Sequence, residues 1–376
     1  MGDPPKEIEG FNIDTRTLNS GEVFVAIKTD QRDGHDFIEA AKNNGASAAL
    51  VSKYQPQVDL PQLIVKDAPK ALRELAIQIR IEYSGTVIGV TGSCGKTSTK
   101  ELLGVLLGDQ ALKTPGNFNN HLGVPLTLLQ LRSEHSHAVI EVGMNTPGEI
   151  ASLAKILQPK YSIITTVAPV HLQGVPSLEG VAEEKAALAE ASSKLTILPV
   201  ECFRFSPFTK LKTPCLIAGK QEPGRFYPNG SCFVDFSLDQ QAKKTDIVLR
   251  PKGGSVLSFS VDRTSNGMAR NMVLSLLLGL ELGLDPHALQ TRMDSWESAE
   301  LRCQRDRVGD LDFFVDCYNA NPASMRDSLE FFNATTPADQ PRYYVLGGMK
   351  ELGEYTEEYH HELGRSFKLR SIDRLF

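Results

Sequence analysis

One segment constrains this chain more than any other: the apolar run Thr86-Val87-Ile88-Gly89-Val90, a glycine-rich turn, then the helical stretch Thr97 to Leu107. In that setting Gly92-Ser93-Cys94-Gly95-Lys96-Thr97-Ser98 reads as a phosphate-binding loop between a strand and a helix. Glycines let the backbone wrap closely around phosphate, and the exposed N–H groups and helix N-terminus favour an anion. Lys96 would neutralise the terminal phosphates, and the Thr97 hydroxyl would hold Mg²⁺. The strict spacing asks for a glycine at Val90, and the nearest is Gly89, one residue early. The competing reading is a glycine turn that caps an ordinary helix.

The alternation continues downstream. Ala138-Val139-Ile140-Glu141-Val142 and Ser162-Ile163-Ile164-Thr165-Thr166-Val167 are further apolar runs, with a helix expected from Gly148 to Leu157 between them. Such alternation predicts an α/β fold with a parallel sheet flanked by helices. Upstream, strands are expected at Glu22 to Ile27 and Ala48 to Val51. A helix opens at Phe37 to Ala41 and ends near Asn44-Gly45, and another runs from Pro69 to Glu82. The stretch from Glu201 to Lys252 is rich in Pro, Gly and polar residues and yields no clear elements, whereas Met272 to Leu284 reads as an apolar helix. A third unit starts near Ala299, with strands at Phe313 to Val315 and Tyr343 to Leu346. It stops at Arg374-Leu375-Phe376, where another strand is expected, so this domain is expected to be incomplete. A chain of 376 residues suits two or three domains. The boundaries expected are 1–82, 83–298 and 299–376.

Composition narrows the function. A 41% hydrophobic and 23% charged chain is that of a soluble globular protein. No apolar span is long enough to cross a bilayer, so no membrane insertion is expected. Met1-Gly2-Asp3-Pro4-Pro5-Lys6-Glu7 has no apolar leader core. Six cysteines without a CxxC pair argue against a zinc cage or a disulfide framework, and a cytoplasmic location is expected. A net charge of −6 without a dense basic block argues against nucleic acid as a partner.

In parallel α/β sheets the carboxyl ends of the strands face the ligand. Glu141 ends an apolar run, where a buried carboxylate needs a partner, and is a candidate Mg²⁺ ligand. His171 follows the next strand and is a second candidate, against the alternative of a surface or satisfied core histidine. Lys185, in Glu183-Glu184-Lys185-Ala186, reads from pattern alone as a solvated helix residue.

Taken together, these residues resemble the Mur ligases of bacterial cell-wall synthesis, and within them the branch that adds D-alanyl-D-alanine. The loop Gly92 to Ser98 resembles the family's GTxGKT loop, which accounts for the glycine offset. Gly116-Asn117-Phe118-Asn119-Asn120 with Gly123-Val124-Pro125-Leu126-Thr127-Leu128 is similar to GNFNNxxGxPLTLL, and Glu141-Val142-Gly143-Met144-Asn145 with Pro147-Gly148-Glu149-Ile150 also matches. Tyr318-Asn319-Ala320-Asn321-Pro322 with Ser324-Met325 matches YNANPxSM, and Leu346 to Gly353 matches LGxMxELG. Asp14-Thr15-Arg16 and Asp33-Gly34-His35-Asp36-Phe37 resemble the DSR and DGHxF elements of a nucleotide-sugar domain.

The resemblance implies a three-domain architecture: a UDP-sugar-binding N-terminal domain, a central parallel-sheet P-loop ATPase domain and a partial C-terminal Rossmann-like domain. It implies a monomeric enzyme that uses ATP and Mg²⁺ to join D-Ala-D-Ala to UDP-MurNAc-tripeptide through an acyl phosphate. Lys96 would contact ATP phosphates, and Thr97, Glu141, His171 and a carbamylated Lys185 would hold magnesium. Asn271, Arg302 and Asp316 would contact the nucleotide. Asp14, Thr15 and Arg16 would seat the UDP moiety, and Asn117, Asn119 and Asn120 the muramoyl-peptide end. Tyr318, Asn319, Asn321 and the loop from Met349 to Leu352 would lie near the dipeptide and the closure interface. The sequence departs from the family in places. Gly267 and Met268 stand where a His-Asn pair is usual, with Asn266 one residue away, and Leu301 replaces the glycine before Arg302. A diaminopimelate- or lysine-adding ligase, and a non-catalytic UDP-sugar-binding relative, are the alternatives.

Overall fold

The computed structural model describes residues 5–220 and 227–376. Residues 1–4, part of the segment read as lacking a leader core, lie outside the described residues, as do 221–226 within the unassigned stretch.

Near the N-terminus, β1 (Gly10–Asn12), β2 (Glu22–Val25), β3 (Ala48–Val51) and β4 (Gln62–Ile64) form a parallel sheet in sequence order. Side chains alternate across it as strand geometry demands. Val23, Val25, Ala48 and Leu50 pack towards Leu72 and Ala76 of α2 (Ala68–Glu82), while Phe24, Ala49 and Val51 pack towards Ile38 and Ala41 of α1 (Ile38–Asn43). Helix α2 starts where Asp67 accepts the Lys70 N–H at 2.9 Å, with Pro69 in its first turn. Its Arg80 donates to the carbonyls of Leu157 and Gln158, both at 2.7 Å, and so fastens the first unit to the second.

The central unit runs through β5 (Thr86–Thr91), α3 (Lys96–Leu107), β6 (Ala111–Lys113), α4 (Gly123–Leu128), β7 (His137–Glu141), α5 (Glu149–Leu157), β8 (Tyr161–Ile164), α6 (Leu178–Glu190) and β9 (Leu195–Pro199). After the short α7 (Ser206–Thr209) come β10 (Cys215–Gly219), β11 (Cys232–Gln240), β12 (Lys244–Pro251), β13 (Leu257–Asp262), α8 (Asn266–Glu281) and α9 (Pro286–Asp294). The sheet order is β13-β12-β11-β10-β9-β8-β5-β7-β6, parallel from β6 to β11 and antiparallel across β11, β12 and β13. Strand β5 lies between β7 and β8, so the order reverses there, and a crevice opens beyond the carboxyl ends of these three strands. Two cores cover the sheet: Leu102, Leu103, Leu106, Met272 and Leu276 on one face, Leu126, Ile150, Leu153, Ala182 and Leu188 on the other.

The stretch from Glu201 to Lys252, unassigned from sequence, supplies α7, β10, β11 and the whole of β12. Its apolar residues alternate with polar ones, because one face of this antiparallel extension meets solvent: Val234 and Phe236 of β11 and Ile247 and Leu249 of β12 point into the core. The helix expected at Met272 to Leu284 starts six residues earlier, where Ser265 accepts the Met268 N–H, and ends at Glu281. The polar first turn, Asn266 to Arg270, hid its start.

The third unit contains the hairpin β14 (Gln304–Val308) and β15 (Leu311–Val315), α10 (Pro322–Thr335), β16 (Tyr343–Tyr344), α11 (Thr356–Ser366) and β17 (Arg374–Leu375). Rings of Phe314, Phe331, Phe332, Tyr344 and Phe367 form a chain of edge and stacked contacts at its centre. The strand expected at Tyr343 to Leu346 is shorter, although the Leu346 N–H still reaches the Phe376 carbonyl at 3.2 Å. Among the described residues, no helix is long and apolar enough to cross a membrane.

Candidate active site

The phosphate loop expected from sequence occupies the turn between β5 and α3. Gly95 adopts a left-handed conformation with φ 80°, and a Cβ there would stand 2.3 Å from the Asn271 amide. Gly95→Ala is therefore expected to cost about 1–3 kcal/mol of stability and to displace Asn271, read out by urea unfolding alongside weakened ADP binding. The loop is fixed from behind. The Ser93 hydroxyl bonds the Ala168 carbonyl and accepts the Ala168 N–H, both at 2.8 Å, and the Thr165 hydroxyl donates to the Cys94 carbonyl. The Lys96 ammonium folds back onto the Gly92 carbonyl at 2.7 Å. Burial pushes its pKa down, against the pull of Glu141.

Glu141 ends β7 and is 1% exposed. Its Oε1 accepts the Asn119 amide N–H at 2.7 Å, while Oε2 is buried without a hydrogen-bond partner. A buried carboxylate oxygen left open beside a phosphate loop suits a divalent cation, since such ions take oxygen ligands. His171 follows β8 with φ 53°, uncommon for a non-glycine residue. Burial is the main cause of its lowered pKa, with Lys96 and Lys185 adding to it and Glu351 opposing.

Lys185 corrects the expectation of a solvated residue. It lies on α6 among buried Val181, Ala182, Ala186 and Ala189 and is itself 2% exposed. Burial, then the neighbouring charge of Lys96, brings its pKa down to about 7. An amine neutral at such a pH can react with carbon dioxide, and the resulting carbamate is a candidate cation ligand. The open oxygen of Glu141, with the Thr97 hydroxyl, His171 and Lys185 if carbamylated, could hold a divalent cation. Among the described residues, no three or more His, Cys, Asp and Glu side chains are grouped so as to hold a metal ion by themselves.

The third unit reaches across to the loop. The Arg302 guanidinium donates to the Thr97 hydroxyl at 3.2 Å and lies 4.3 Å from the Tyr318 ring centroid. The Cys94 thiol donates to the Asn321 side-chain oxygen Oδ1 at 3.1 Å, and burial raises its pKa. The same oxygen caps α10 through the N–H groups of Ala323 and Ser324, so Asn321 carries structural duties at this junction. Asp316 accepts the Ser328 hydroxyl and the Cys303 N–H. Between these groups lies a cavity of about 560 Å³, with Ser98, Asn271 and Arg302 at one end and Phe205, Phe236 and Met268 along its apolar wall. Asn266 and Gly267 also line it, and the Gly267 N–H donates to Asp327 of α10 at 2.9 Å.

Of the other expected site residues, Asn119 joins this cluster and the rest lie outside it. Asp14 and Arg16 pair at 2.5 Å in the N-terminal unit, and Arg16 holds the Asp14 pKa at about 2. The Thr15 carbonyl accepts the Asn44 amide. Asn120 caps its own turn through the N–H groups of Leu122 and Gly123, Asn119 faces Glu141, Asn117 is exposed, and the Asn319 side chain accepts the Ala320 N–H.

Lys100 escaped notice in the sequence. It is fully buried, and its ammonium donates to the carbonyls of Thr114 at 2.8 Å and Gly116 at 3.1 Å beside Glu101 at 2.6 Å. Thr114 in turn accepts the Glu141 N–H at 2.9 Å, so Lys100 anchors the segment leading to Asn119. Its only signal was a lysine beside Leu102, Leu103 and Leu106 on a helix. Lys100→Met is expected to cost about 1–3 kcal/mol through two abandoned carbonyls. Amide exchange confined to residues 114–120 should rise before global unfolding.

Three family models match the chain: "Mur ligase family, catalytic domain" over residues 7–80, "Mur ligase middle domain" over 90–207 and "Mur ligase, glutamate ligase domain" over 302–376. The UDP-N-acetylmuramoyl-tripeptide–D-alanyl-D-alanine ligase of Escherichia coli K12 is 34% identical over 375 residues, covering 98% of this chain and 80% of that protein. Its counterpart in Haemophilus influenzae is 30% identical, covering 99% and 81%. Among solved structures, MurF from Acinetobacter baumannii superposes with a TM-score of 0.83 at 27% identity, covering 99% of this chain and 81% of that one. The MurF ligase of Thermotoga maritima in complex with ADP gives 0.79 at 28%, covering 98% and 84%.

Proposed function

The chain belongs to the Mur ligase family, and from that premise we propose that it joins D-alanyl-D-alanine to UDP-N-acetylmuramoyl-tripeptide at the expense of ATP, in the synthesis of a peptidoglycan precursor. The observation that carries this reading is the closeness of Lys96 of the phosphate loop to buried Glu141, at the carboxyl end of β7, and to buried Lys185 of α6, under a third unit that contributes Arg302.

The division of labour follows the chain. Residues 1–82, with Asp14, Thr15 and Arg16, seat the UDP moiety. Residues 83–298 hold the ATP phosphates on Gly92 to Ser98 and the nucleoside along the cavity by Asn271. Residues 299–376 add Arg302 and Asp316, with Tyr318, Asn319 and Asn321 near the incoming dipeptide. Asn117, Asn119 and Asn120 lie on the segment that faces the muramoyl peptide.

Lys96 and Arg302 concentrate positive charge on the phosphates, so the terminal carboxylate of the tripeptide can approach the γ-phosphoryl group in line. The carboxylate oxygen gains the phosphoryl group, ADP leaves, and an acyl phosphate remains. The dipeptide amine then forms the C–N bond at the acyl carbon. The tetrahedral intermediate breaks its C–O bond to release inorganic phosphate, and the amine proton passes to solvent. Mg²⁺ on Thr97, Glu141, His171 and carbamylated Lys185 would supply further neutralisation of the crowded phosphate oxygens. The contacts between Cys94 and Asn321 and between Thr97 and Arg302 tie two units together over the loop, which keeps water from the acyl phosphate.

Phosphate release from ATP with UDP-MurNAc-tripeptide tests the reading. Release that depends on D-Ala-D-Ala, with a pentapeptide product by mass, is expected. Activity with a free diamino acid instead would reassign the chain to a different branch.

A further inference from the structure

The loop from Met349 to Gly353 in the third unit is anchored at both ends and reaches the central unit from its middle. Met349 and Leu352 are buried, and the Met349 N–H donates to His360 Nε2 at 3.0 Å. His360 is itself tied to the Thr356 carbonyl at 2.7 Å. Between these anchors Glu351 stands half exposed in a left-handed conformation, φ 61°, with its carboxylate on His171 Nδ1. The backbones touch as well. The Glu351 carbonyl accepts the Gln173 N–H at 3.2 Å, and a Cβ on Gly353 would stand 3.3 Å from the Leu172 carbonyl. On the other side, the His171 carbonyl takes the N–H groups of Gly174 at 3.0 Å and Val175 at 2.9 Å. Two residues in a sparsely populated conformation, 180 positions apart, are thus held face to face.

Resting on the proposed role of His171, we infer that Glu351 is a positioning residue that fixes the tautomer of His171 and makes that role conditional on contact between the third and central units. A carboxylate is an acceptor only, so Nδ1 must carry the proton that it shares with Glu351. In the neutral ring Nε2 is then the nitrogen with a free lone pair, as cation ligation requires. Because Glu351 belongs to the third unit, the ring is set only while that loop lies on residues 171–173. His171 would therefore be set to hold a cation only while the third unit lies against the central one, which links assembly of the site to the enclosure of substrates.

The decisive measurement is long-range ¹H–¹⁵N correlation of the histidine rings of the full chain without metal, in mildly alkaline buffer, with His171→Gln used to assign the signal. The Nδ1–H tautomer is expected in the parent and in Glu351→Gln, whose amide oxygen still accepts. Glu351→Ala is expected to lose it to the Nε2–H form. Retention of the Nδ1–H form in Glu351→Ala overturns the inference. Mn²⁺ binding in the presence of ADP, followed by electron paramagnetic resonance, separates the two levels. Weakening by about 10-fold in Glu351→Ala, on the scale of lost outer-shell partners, and by more in His171→Gln, supports both. Weakening in His171→Gln alone overturns the role of Glu351, and no change in either variant overturns the metal reading of His171 as well.

Discussion

Replacing Lys96 by alanine is expected to lower kcat/KM for ATP by about three orders of magnitude, the scale of losing one preorganised charge at a developing phosphoryl transition state. Binding of UDP-MurNAc-tripeptide should be retained, because Asp14 and Arg16 lie in the turn between β1 and β2 of the first unit. The ammonium is already placed within the loop by its bond to the Gly92 carbonyl, so no side-chain ordering is needed when phosphate arrives. Burial makes its charge costly, as the lowered pKa records, and bound phosphates would relieve that cost. The fold should survive. Only one carbonyl loses a donor, worth about 1 kcal/mol. Lys96→Arg is not expected to restore activity, since the planar fork cannot occupy the space of a compact ammonium inside a closed turn. Initial-rate kinetics in ATP and calorimetric titration of the nucleotide sugar check the two halves separately. A loss of less than tenfold would mean that the loop does not hold the transferred phosphate.

Much of this site was legible because chemistry and topology repeat each other in the sequence. The loop from Gly92 to Ser98 follows one strand, Glu141 ends one of the two strands that flank it in the sheet, and His171 follows the other. Their convergence follows from the parallel order alone. What could not be read is what depends on covering layers. Lys185 looks solvated beside Glu183 and Glu184, yet α6 is packed on more than one side, and the small residues Ala182, Ala186 and Ala189 leave room for a buried amine. The antiparallel extension from β11 to β13 was obscured by polar residues on its solvent face, although Val234, Phe236, Ile247 and Leu249 keep a period of two. Contacts such as Cys94 with Asn321, 227 residues apart, have no local signature. Motifs supplied the two partners, and only folding shows that one thiol and one helix cap share an oxygen.

Lys185→Ala is expected to reduce kcat by about two to three orders of magnitude, and exclusion of carbon dioxide should reproduce part of that loss in the parent chain, with recovery on adding bicarbonate. The reasoning starts from burial. An ammonium at this depth, beside Lys96, is disfavoured, so the amine is already neutral in half the molecules near pH 7. Neutral amine and carbon dioxide form the N–C bond of a carbamate with release of a proton, replacing a cation that would repel Mg²⁺ with an anion that would bind it. The acid limb of activity should therefore lie near pH 7 rather than near the ordinary lysine value of 10.5. Stability gives an independent check in carbon dioxide-free buffer. Between about 7 and 10.5 the unfolded chain binds more protons at this residue than the folded chain, so the unfolding free energy should rise with pH across that window. The rise should be of the order of a few kcal/mol, and Lys185→Met should flatten it. Equal slopes for parent and variant would place the amine in contact with water and remove the physical basis for its modification.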